Sequence, residues 1–156
     1  MSAYGSVLFL HSTLRWAVLI AALVALVRAL AGWRGARPWT RPDDVVGAVT
    51  VGLLDVQFVL GLVLYVFLSP TSRAFLADPG AGMANAGVRF FGVEHAFAMV
   101  VALVVGHLGR VLSRRVSAPA LRHRNAFVSS LVMLLVLLIG IPWPFLSYGR
   151  PLLRGL

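Results

Sequence analysis

Apolar residues run almost unbroken through four stretches of this chain, about Val7 to Leu30, Val45 to Leu68, Phe90 to Leu112 and Ala126 to Ile141, and the polar residues gather between them. A helix crosses a bilayer with roughly 20 mainly apolar residues. The pattern therefore predicts four membrane-spanning helices that use up most of the 156 residues. The expected fold is an all-α integral-membrane protein, a four-transmembrane-helix bundle forming one domain over residues 1–156, with the lipid bilayer as its solvent.

The segments between the stretches carry stop and anchor signals. Gly32 to Asp44 contains Trp33 and Trp39 as interfacial anchors, and Asp43 and Asp44 suit the N-cap and first turn of helix two. The loop of Ser69 to Arg89 holds Pro70 and Asp78-Pro79-Gly80, which rule out a long helix and allow a short surface one near Ser72 to Leu76. A loop of that length in so small a protein often covers something. Pro142 and Pro144 end helix four, which has no ionisable residue and reads as a packing wall. The N-terminal run is expected to be a retained helix, because it continues to Leu30, well past signal-peptide length.

Composition agrees, with 60% hydrophobic and 12% charged residues. The net charge of +9 comes from arginines in loops, so it reads as a topology signal and not as a nucleic-acid footprint. Arg34, Arg37, Arg41, Arg114, Arg115, Arg122 and Arg124 lie on one side, against Arg73, Arg89, Arg150 and Arg154 on the other. That bias predicts both termini on the outer, periplasmic side. With no cysteine, disulfides, thiolate metal sites, Cys-ligated iron–sulfur clusters and covalent haem attachment are excluded.

Ionisable groups at membrane depth are costly and each asks for a reason. His11 and His95 fall at matching depth near the same face, on helices one and three. Met99, Ala102 and Gly106 continue the His95 stripe, small or adaptable residues that leave room for close helix approach or a flat cofactor. Facing imidazoles can hold a b-type haem, with Arg15, Arg89 or Arg150 near its propionates. The bland alternative is a pair of bundle histidines bonded to Glu94, Ser12 or a backbone carbonyl. A metal site of His11, Glu94 and His95 also stays open. His107 has no histidine at its own depth, which excludes a second bis-histidine haem; it is expected at the interface or against a loop. Asp55, near the middle of helix two, is expected to pair with Arg15, a proton-carrying role being the functional alternative. Gln57 points to the opposite face of that helix.

The run His11-Ser12-Thr13-Leu14-Arg15-Trp16, Asp55-Val56-Gln57 with Gly61 and Tyr65, Arg89 followed by Val93-Glu94-His95, Gly106-His107 and Ile141-Pro142-Trp143-Pro144-Phe145 resembles a family of small four-helix bacterial membrane proteins commonly labelled "cytochrome b". The likeness covers nearly the whole chain. It implies a multi-pass protein of the bacterial inner membrane, binding haem b through His11 and His95, with Arg15, Arg89, Glu94, Asp55, Gln57 and His107 in the same motif set. The chain departs from dihaem cytochromes in lacking paired histidines on two helices.

The first expectation is thus a monohaem electron-transfer protein near the outer face, with quinol as electron donor, rather than a stand-alone enzyme. Two others stand beside it. One is a cofactor-free accessory subunit of a larger respiratory or photosynthetic membrane complex, or a homo-oligomer. The other is metal or proton handling through His11, Glu94, His95 and Asp55.

Overall fold

The computed structural model describes residues 2–152, so Arg154 lies outside the described residues. Among these residues the chain is all-helical, and four helices are long and apolar enough to cross a membrane. They are α1 (Ala3–Arg34), α2 (Arg41–Val63, prolonged by a π-helical turn over Leu64–Leu68), α6 (His95–Arg115, entered through a π-helical turn over Phe90–Glu94) and α7 (Pro119–Gly140). Three short helices, α3 (Pro70–Ala77), α4 (Pro79–Ala84) and α5 (Ala86–Arg89), fill the long connection. One short surface helix was expected there, but Ser69, Asp78 and Asn85 each cap a new turn with a side-chain oxygen.

The long helices overrun their predicted ends because capping residues lie beyond the apolar runs. The Ser2 hydroxyl accepts from Gly5 N–H at 3.2 Å and starts α1. Helix α2 begins at Thr40 in a capping box, in which the Asp43 carboxylate takes the Thr40 N–H at 2.9 Å. Asp43 is therefore the third residue of the helix and not its N-cap, and its other oxygen accepts from Arg28 of α1 at 2.8 Å.

Helices α1 and α7 pack closely, as do α1 with α2 and α6 with α7; α2 and α6 meet over far less of their length. The core is Val18 and Ala22 of α1, Leu54 of α2, Ala102 of α6, and Met133 and Leu137 of α7. Small residues set the spacing. Ala22 and Ala102 are wholly buried, and Gly106 leaves room for the sulfur of Met133 and for Leu54. The predicted inward stripe on α6 is present. What the core leaves open is the gap between α2 and α6.

Candidate functional site

Both predicted histidines come together at the end of the bundle where α1 begins and α7 ends. The ring centres of His11 and His95 are 6.3 Å apart and their planes cross at 73°. Each imidazole is held through one nitrogen. His95 Nδ1 lies 2.7 Å from the carbonyl oxygen of Gly140, which assigns the proton to Nδ1 and leaves Nε2 with its lone pair. The Gln57 amide donates to the His11 carbonyl at 3.0 Å and lies 3.3 Å from His11 Nε2. His11 Nδ1 and the Gln57 carbonyl oxygen are buried with no hydrogen-bond partner.

The sequence explains why Gly140 is free to hold His95. In a continuing helix the carbonyls of Leu138 and Gly140 would accept from residues 142 and 144, and both are proline. The two orphaned oxygens find side chains instead: Leu138 accepts from the Trp143 indole at 2.8 Å, and Gly140 from His95. Helix α7 therefore contributes more than the packing wall it was expected to be.

Two cavities meet at the histidine pair. One, of about 120 Å³, runs toward the termini and is lined by Arg15, Ser72 and Arg150 among others. The second, of about 380 Å³, opens sideways between α2 and α6 past Phe58, Leu62, Phe97 and Val100. His11, Gln57, Gly61, Tyr65, His95 and Met99 line both. Gly61 is required by close approach, since a Cβ there would lie 3.1 Å from His11 Cε1.

The ends of α2 and α6 are widened where they flank this space. Their two π-helical turns are tied together by Tyr65 Oη, which donates to the Gly92 carbonyl at 2.8 Å. Such turns recur at functional sites because they re-aim the side chains that follow. Phe75 of α3 packs onto Gly92. The C-terminal segment folds back over the end: Tyr148 stacks on Phe90, Arg150 lies over Phe91, and the Leu152 carbonyl accepts from Arg15 at 2.6 Å and from the Trp16 indole at 3.3 Å. The long connection and the tail together cover the site.

Several expected partnerships are replaced. Asp55 does not pair with Arg15; its Oδ1 lies 2.8 Å from His107 Nε2. His107 is therefore bonded to α2 and not to a loop. The reason is the fold: Arg15 turns up to the C-terminal segment, while Asp55 faces α6. Gln57, on the opposite face as predicted, serves His11 instead. Glu94 bonds to neither histidine but pairs with Arg89 at 2.8 Å, and neither residue lines the two cavities. Among the described residues no three histidine or carboxylate side chains gather as a metal site, which leaves the His11–Glu94–His95 cluster unformed. His123 sits in the first turns of α7, fully buried against Gly32 and the Trp39 ring.

No protein-family model, curated protein or solved structure matches the chain.

Proposed function

We propose that the chain is a multi-pass protein of a bacterial inner membrane, with both termini outside, that holds one haem b between His11 and His95 and transfers electrons. The observation that carries this reading is the mutual geometry of the two imidazoles. Two imidazoles in line on a metal at about 2 Å from each nitrogen have ring centres roughly 6 Å apart, and the observed separation is 6.3 Å. Crossed ring planes would still let His11 and His95 hold one haem between them.

The surroundings fit as well. An imidazole ligand commonly gives its second nitrogen to a carbonyl or other partner, which fixes the tautomer and the ring's direction. The Gly140 carbonyl does this for His95; at His11 the Gln57 amide donates to Nε2 and the proton of the neutral ring sits on Nδ1, so ligation through His11 requires the Gln57 amide to turn its carbonyl oxygen to the ring. The cavities on either side of the pair offer space lined by Gly61 and Met99. Arg15 and Arg150, at the end nearest the termini, supply positive charge for carboxylates. When bound, the haem supplies a one-electron redox centre. Quinol is the electron donor this reading implies, and the sideways opening between α2 and α6 faces the lipid from which it would arrive.

Purified protein reduced with dithionite is expected to show the sharp Soret band and the α-band of a low-spin b-type haem. His11→Ala and His95→Ala should each lose the low-spin spectrum while the protein stays folded by circular dichroism. A colourless wild-type preparation from haem-replete cells, or unchanged spectra in both variants, sinks the reading.

A further inference from the structure

The Asp55–His107 pair lies where a lone chain would leave it in lipid. Both residues are well inside the apolar lengths of α2 and α6, yet their side chains are 46% and 51% exposed. The exposed side chains around them are hydrocarbon: Val56 and Val59 on α2, Val104, Leu108 and Val111 on α6. The pair satisfies one carboxylate oxygen and one ring nitrogen. Asp55 Oδ2 and His107 Nδ1 point away from that bond with no water to meet them in a bilayer, and intramembrane polar groups normally face protein or a wet cavity.

A second observation lies on the same face. The membrane-depth glycines Gly61, Gly92, Gly106, Gly109 and Gly140 each seat a side chain of a neighbouring helix. Gly52 seats nothing: a Cβ there would meet no atom within 4 Å. Packing within the chain does not call for glycine at this position. Ala48, one turn earlier, is also exposed, and 48, 52, 55 and 59 share one helix face. A small residue four positions from another is the pattern that lets two membrane helices approach closely.

We propose that this face, with Ala48 and Gly52 at its close approach and the Asp55–His107 pair at its centre, is where two copies of the chain meet about a two-fold axis. The occupant follows from complementarity. In an isologous contact each residue meets its counterpart's partner, so the free oxygen of each Asp55 accepts from the free ring nitrogen of the other copy's His107. Two carboxylates and two imidazoliums then close into one neutral network, shielded from lipid by both chains. The inference rests on membrane insertion but not on haem.

Because the chain has no cysteine, single cysteines report the contact cleanly. Full-length Gly52→Cys in carbonate-washed membranes should form a covalent dimer on mild oxidation, and Ile139→Cys, on the exposed side of α7, should not. In lipid nanodiscs wild-type protein should be dimeric, and Gly52→Leu, whose Cβ meets no atom of its own chain, should weaken the dimer at least tenfold while the protein stays folded by circular dichroism. Release of the protein by carbonate overturns membrane insertion and the dimer together. Retention with no Gly52 link, with equal linking through Ile139, or with wild-type monomers overturns the dimer alone. Capture of Gly52→Cys by a different protein also overturns it, in favour of a hetero-partner.

Discussion

His95 Nδ1 lies 2.7 Å from the carbonyl oxygen of Gly140, an oxygen left over because Pro144 has no N–H to return to the helix. The end of one helix thus orients the imidazole of another. Replacing both Pro142 and Pro144 by Ala lets α7 continue and gives Gly140 a backbone donor. The expected result is a folded protein whose haem affinity falls about tenfold or more, as for other losses of a group orienting a ligand. Haem titration of apoprotein reads it; unchanged affinity and an unshifted α-band would show that Gly140 does not position His95.

Gln57 bridges α2 to α1 through two donor contacts to His11. Gln57→Leu keeps the volume and removes both, leaving the His11 carbonyl and Nε2 without donors in a buried site. A destabilisation of about 1–3 kcal/mol is expected from the unsatisfied acceptors, measured as a lower unfolding midpoint in detergent. Gln57→Glu restores the shape but not the amide donors, so it should not rescue. Recovery by Glu would mean that shape alone holds α1 and α2 together here.

At the opposite end, Asp43 ties Thr40 and Arg28 to one carboxylate. Asp43→Ala removes the capping box of α2 and its link to α1. A loss of about 1–2 kcal/mol is expected, in line with other helix caps, whereas Asp44→Ala should cost less because its carboxylate is only 3.6 Å from Arg122 and more exposed. Chemical denaturation of the two variants side by side distinguishes them.

The four helices and the depth of the two histidines could be read from the sequence because each depends on a local pattern: apolar run length, and position from the start of that run. Partnerships could not be read so. Asp55 and Arg15 look like natural partners on charge and depth, but whether α2 turns that face to α1 or α6 depends on how four helices close into a ring. Gly140 gave no signal because a backbone carbonyl is the same in every residue. The Pro142 and Pro144 pair is the available clue, because a proline stop also releases two carbonyls for side chains. The π-helical turns beside His95 have no residue signature in this chain, although Tyr65 and Gly61 already stood in the motif set. Gly52 looks like any membrane glycine until its empty surroundings are seen.

His123 fills the notch at Gly32 and packs on the Trp39 ring, with both ring nitrogens buried and without hydrogen-bond partners. Two opposite outcomes follow from that one contact. Gly32→Ala places a methyl group on the imidazole, and because His123 is wholly enclosed it has nowhere to retreat; overpacking of this kind costs about 1–3 kcal/mol. His123→Phe keeps a flat ring against Trp39 and removes the unpartnered nitrogens, whose burial carries a penalty of about 1–3 kcal/mol. Its larger ring offsets part of that gain, so the melting temperature should hold or rise. Thermal melts of both variants in one detergent test the pair together. A His123→Phe protein that melts well below wild type, with Gly32→Ala unaffected, would mean that the imidazole nitrogens are satisfied and that the notch is loose.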